Sequence, residues 1–232
     1  MMGRIVPVVV AGFGAYLLYV YATGALYFYI HPIYAVPTVL AGVVLVVAAV
    51  LGAGAHADTG RAAQPSSLSV LLWAIPVAAG IVLPARPLGI STAAQRGVEA
   101  MPLGRLADVP EFRVDIRPET LTIKDWVKAL QADPEPERVA GKPVRVIGFV
   151  YRDERLPADW FFVARFVVQC CAVDAQPIGI PVHLPGREIP KAGAWVVVAG
   201  AWEVASVHGE RRAVVVPTAV TPVDRPEHPY LY

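Results

Sequence analysis

A chain of 232 residues that is 56% hydrophobic and only 17% charged is not composed like a soluble domain, in which about a quarter of residues carry charge. Its net charge of +1, with no cluster of Lys and Arg, lacks the basic patch expected of a nucleic-acid binder. The mean hydropathy of +0.51 is unevenly spread: charge is missing from residues 5–30, 31–56 and 68–85 and becomes ordinary from Arg86 onward.

A bilayer core of roughly 30 Å needs about 20 apolar residues in a helix. Three stretches meet or approach that length, and they predict three transmembrane spans within residues 1–88, at about 5–30, 35–55 and 68–85. Core helices of soluble proteins rarely read apolar on every face in succession. A cleaved signal peptide fits poorly, because the first apolar run is too long and no small-residue cleavage site follows it. Gly12, Gly14, Gly24, Gly42, Gly52 and Gly54 would let helices approach closely. The third stretch contains Pro76, which neighbouring helices tolerate in a membrane. Tyr27, Tyr29 and Tyr34 surround His31-Pro32, as in an interfacial aromatic belt, and the short His31-Pro32 connection makes the first two spans an antiparallel hairpin.

Two signals of orientation oppose each other. Arg4 and Arg61 lie on one side and Arg86, Arg96 and Arg105 on the other, which by the positive-inside rule places the C-terminal domain inside. Three spans with a cytoplasmic N-terminus place it outside. The expectation adopted is a multi-pass cell-membrane protein with an extracytoplasmic β-domain.

Residues 89–120 carry Pro102, Pro110 and Pro118 without strong periodicity and read as a connector. Thr122 and Asp125 then resemble a capping box, with Asp in place of Glu. Ile123, Trp126, Val127 and Leu130 fall on one helical face, and Asp133-Pro134 ends the helix. Strands follow at 144–151, 160–170, 178–184, 194–204 and 211–217, the last two joined by a turn at His208-Gly209. Gly148 within the first marks a bulge or a close backbone approach. In the second, Phe162, Ala164, Phe166, Val168 and Cys170 share one face, while Phe161, Val163, Arg165, Val167, Gln169 and Cys171 share the other.

The fold class expected is therefore α+β: three N-terminal transmembrane helices, then residues 121–232 as a small, mostly β domain with one short helix and an extended C-terminal tail. Five short strands favour an OB-like barrel, which removes exposed edges. A split β-sandwich is the alternative.

The two cysteines, Cys170 and Cys171, are adjacent. Consecutive Cα atoms lie about 3.8 Å apart, short of the roughly 4.4–6.8 Å of an ordinary disulfide. Three readings stay open. Cys170 packs in the core, as the strand alternation implies, and Cys171 is incidental. Alternatively, both thiolates bind zinc or another soft metal with help from Asp174 or a histidine, which requires a turn, because neighbours in a strand point to opposite faces. Lastly, an exposed Cys171 serves redox chemistry or ligand contact, although no nearby positive charge is visible to activate it. His31, His56, His183, His208 and His228 are scattered without ligand spacing, and no GxSxG, Walker, GxGxxG or HExxH pattern occurs. With no catalytic constellation, the expectation is a protein that is not an enzyme.

Residues 141–182 closely resemble the C-terminal domain of YcgQ-type bacterial membrane proteins. The similarity rests on Gly141-Lys142, Gly148-Phe149-Val150, Ala164-Arg165-Phe166, Cys170-Cys171-Ala172, Asp174-Ala175, and Pro177 with Gly179, followed by Trp195-Val196 and Gly200. The His31-Pro32 turn and the segment LPARPLG after the third span are similar too. That family is uncharacterised. The resemblance implies an accessory subunit of a predicted two-component permease, partnered by a larger multi-span membrane protein. Some relatives carry a histidine-rich loop between spans, which implies metal handling; here the corresponding loop holds only His56. The function expected is thus a membrane-anchored, non-enzymatic accessory subunit in the lipid bilayer. The alternatives are a metal- or thiol-binding module using Cys170, Cys171 and Asp174, and, on OB-fold analogy alone, a single-stranded nucleic-acid binder.

Overall fold

The computed structural model describes residues 5–55, 75, 78–80, 82–83, 85–98, 120–154, 156–207 and 209–232. It divides into two compact units, one of residues 1–87 with Cys170–Ala172, the other of residues 88–169 and 173–232.

The first unit is built on helices α1 (Ile5–Ala22) and α2 (Ala35–Ala55). Both are apolar all round, and neither carries an acidic residue in its first turn or a basic one in its last. The expected first span of residues 5–30 is not one helix. Gly24 adopts a left-handed φ of 73°, which glycine reaches without steric cost, and the Thr23 hydroxyl donates to Tyr19 O at 2.9 Å just before it. Two 3-10 turns follow, Ala25–Phe28 and Pro32–Tyr34. His31 caps the second in the extended conformation that a following proline favours, its ring accepting from the Ile33 N–H.

At 18 residues α1 reaches about 27 Å, at roughly 1.5 Å per residue. Among the described residues one helix is long and apolar enough to cross a membrane: Pro32–Gly52, with a mean hydropathy of 2.5 and 17% of its window buried. The α1–α2 contact runs through two glycines. A Cβ on Gly14 would sit 2.7 Å from Gly42 O, and one on Gly42 would sit 3.1 Å from Gly14 O, whereas Gly52 has nothing within 4 Å. Of the third expected span, most lies outside the described residues. Residues 78–80 are helical, and a Cβ on Gly80 would fall 2.7 Å from Tyr16 Cζ.

The second unit opens with a short helix, α3 (Ile90–Arg96), inside the stretch expected to be a connector; residues 99–119 lie outside the described residues. Helix α4 (Ile123–Ala132) carries the anticipated capping box, with Thr122 Oγ1 accepting from Asp125 N–H and Asp125 accepting from Thr122 N–H. It buries Ile123, Trp126, Val127 and Leu130, the face expected from spacing. Asp133 closes it in an extended conformation ahead of Pro134.

Six strands form a mixed sheet: β1 (Pro143–Tyr151), β2 (Trp160–Val167), β3 (Gln176–His183), β4 (Trp195–Val207), β5 (Glu210–Pro222) and β6 (Tyr230–Leu231). The order is β1-β4-β5-β3-β2-β6, and β1 also pairs with β2. β4 and β5 pair from Val207↔Glu210 to Val196↔Pro222, with Gly209 in a left-handed conformation at the turn and an irregularity at Ala199/Gly200. The tail expected as an extended strap ends in a strand, since β6 runs parallel to β2 through Phe166↔Tyr230.

Every residue of β2 is buried, because its two faces enter different cores. Phe161, Val163 and Val167 join Trp126, Ile178, Trp202 and Val215 in one. Phe162, Ala164 and Phe166 join Ala93, Val98, Phe149 and Tyr230 in the other. Gly148 is the close approach its position suggested: a Cβ there would lie 2.5 Å from Ala164 O on the paired strand.

Candidate functional site: the Cys170–Cys171 loop

The β2 ladder stops at Val167, and the chain bends through Gln169 and Cys170 before turning at 172–174 into β3. The alternation of β2 does not therefore extend to its cysteines. Cys170 is exposed and Cys171 half-buried, which goes against the reading in which Cys170 packs in the core. The bend also supplies what the metal reading required. In a straight strand the two thiols would diverge; here their sulfurs are 3.6 Å apart, a contact and not a bond.

Asp174 turns back into the loop, its Oδ1 accepting from Gln169 N–H at 3.0 Å. The two sulfurs and a carboxylate oxygen of Asp174 all lie within 4.8 Å of one another. All three residues named from sequence are thus brought together. The loop is held in place by its backbone. Cys171 forms an isolated antiparallel bridge with Ile30, His31 N–H donates to Cys170 O at 2.9 Å, and Ala172 N–H donates to Tyr29 O at 2.8 Å. On its far side the Arg96 guanidinium donates to Ala175 O.

His31 contributes main chain here, and its ring is already engaged: Nδ1 accepts from Ile33 N–H at 3.1 Å. His208 lies outside the described residues. His183 pairs with Asp159 at 2.8 Å and stacks on Trp160, in another part of the sheet.

The chain matches sequence models of two domains, the DUF1980 N-terminal domain over residues 5–99 and the DUF1980 C-terminal domain over residues 117–232. The chain belongs to the DUF1980 family. A search of curated proteins gives no match. The cysteine loop falls inside the DUF1980 C-terminal domain, and His31 inside the N-terminal one.

One important residue of this DUF1980 chain has no role assigned from sequence, where it is named only by its place in the second strand and in the Ala164-Arg165-Phe166 match. Arg165, on strand β2, is buried. Its guanidinium donates to His228 O at 2.5 Å, Pro229 O at 3.1 Å and Tyr230 O at 3.3 Å, and lies 5.7 Å from the Trp195 ring centre. Burial lowers its pKa below the ordinary arginine range, against the opposing effect of Tyr232. A buried charge needs such partners; these fix the tail beside β2. The available signal was a lone arginine in an otherwise apolar strand. Lys124 supports the same tail, donating to the main-chain oxygen of Tyr232 at 2.6 Å.

Proposed function

We propose that the protein is a multi-pass, membrane-anchored accessory subunit of a permease-like complex, without enzymatic activity of its own. The observation that carries this reading is α2, an uncharged helix with most of its apolar surface turned outward. Water penalises such a surface, whereas a bilayer or a larger multi-span partner accepts it. The contact of Gly80 with Tyr16 supports a third helical segment against α1. The resemblance to YcgQ-type proteins supports the permease partnership. An extracytoplasmic β-domain follows from three spans with an inside N-terminus.

The β-rich unit is read as a closed, OB-like barrel. Its support is that β1 pairs with both β4 and β2, while β3 meets β5 in parallel at Val182↔Val215. OB-folds bind oligonucleotides on the strand 2–3 face. Here Phe149, Phe162 and Phe166 are buried beneath Tyr230, Ala93 and Val98. Stacking bases there would require displacing the tail, which disfavours a nucleic-acid role.

Reconstitution tests the proposal. Purified alone into liposomes, the protein is expected to move no solute, including divalent metal ions read by an encapsulated fluorescent indicator. Uptake by the chain alone, above that of empty liposomes, would contradict the accessory role.

A further inference from the structure

We infer that the Cys170–Asp174 loop is an exchangeable zinc site which, among the described residues, has three protein ligands and an open fourth position. The geometry fits a tetrahedral ion. Two thiolates on one tetrahedral zinc, each at about 2.3 Å, stand roughly 3.8 Å apart; Cys170 Sγ and Cys171 Sγ are 3.6 Å apart without any ion. A linear dithiolate ion such as Cu(I) would instead hold its sulfurs about two bond lengths apart, on the order of 4.5 Å. The carboxylate of Asp174, with an oxygen within 4.8 Å of both sulfurs, is in place to supply a third contact. Its hydrogen bond from Gln169 N–H orients it, as outer-shell partners do for metal-binding carboxylates.

Among the described residues the fourth position stays open for a physical reason. The nearest histidine along the paired backbone is His31, whose Nδ1 accepts a hydrogen bond from Ile33 N–H. A neutral ring accepting at Nδ1 carries its proton on Nε2, so neither nitrogen offers a lone pair to a metal. Structural zinc sites are closed by four protein ligands, and sites that exchange a ligand keep one position open. Cys170 is exposed to solvent, so a bound ion could be received from, and passed to, another ligand. On binding, two S–H bonds are replaced by two S–Zn bonds and two protons go to solvent. A site of this kind stands whether or not a partner subunit exists.

The test uses the full-length protein in detergent, titrated with Zn(II) against a chromophoric chelator and, separately, with Co(II) as a spectroscopic stand-in. The expected result is one Zn(II) per chain, with Co(II) giving a thiolate charge-transfer band and the intense d–d bands of four-coordination. Cys170→Ser/Cys171→Ser should abolish both signals, and Asp174→Asn should weaken Zn(II) at least tenfold. Saturating Zn(II) should also protect the wild-type thiols from maleimide alkylation, a readout that needs no variant. Equal Zn(II) binding in wild type and the double variant would overturn the assignment. So would Co(II) spectra lacking charge transfer, unchanged alkylation, or retention of Cu(I) alone.

Discussion

Leu40 and Leu51 on α2 are 60% and 69% exposed, whereas Phe161 and Val163 on β2 are wholly buried, although both segments are strongly apolar. The difference lies in what each side chain meets. β2 is apolar on two faces because each face has its own core, while α2 is apolar on all faces and, among the described residues, has one helix, α1, packed on it through Gly14 and Gly42. Apolar sequence therefore has two meanings in one chain. In the β-rich unit it records contacts within the protein; in the helical unit it leaves an outward apolar surface, which the proposed membrane setting would cover.

The strongest way to break that contrast is by truncation. Trp202→Ala removes a ring packed at 5.4 Å on Trp126 and should destabilise the β-rich unit by about 3–5 kcal/mol. Leu51→Ala, on the outward surface of α2, should change stability by less than about 0.5 kcal/mol. Denaturant titrations of the full chain in detergent, followed by circular dichroism, measure both; comparable losses would dissolve the distinction.

Next in size is Arg165→Met. Hydrogen bonds to charged groups contribute about 1.5–3 kcal/mol each, and the tail carbonyls lose their donor. A glutamate-specific protease should then cut after Glu227 at least about tenfold faster, for a change of about 1.4 kcal/mol or more in tail opening, as followed by the mass of the released fragment. Gly14→Val should cost about 1–3 kcal/mol through overpacking against Gly42, read by unfolding in SDS. Gly52→Ala, with open space around it, should be neutral or stabilise by up to about 1 kcal/mol. The smallest effect is Thr122→Ala, which removes one cap of α4 at a cost of about 1 kcal/mol.

Local patterns in the sequence were readable where a rule has one outcome. The capping box, the buried face of α4 and the two faces of β2 follow from spacing, because burial must match the period of the element. Ends were harder. An apolar helix and an apolar loop look alike in composition, so the stop of α1 before Gly24 was hidden inside a charge-free run. β2 was read through Cys170 for a similar reason: its alternation continues past Val167, but the pairing does not. The reading in which Cys170 packs in the core fails for that reason, and the turn that the metal reading required is the bend that brings both sulfurs and Asp174 together. The role of Arg165 depends on carbonyls more than 60 residues away, which no local pattern reports.

The most direct measurement of the central proposal, a membrane-anchored subunit serving a larger complex, is recovery of the tagged full chain from its native membranes in mild detergent. The eluate is analysed by native mass spectrometry and peptide identification. The expected result is that the chain resists release by carbonate and elutes in fixed ratio with a larger multi-span membrane protein. Release into the carbonate wash, or elution as a lone 24.8 kDa species, would contradict it.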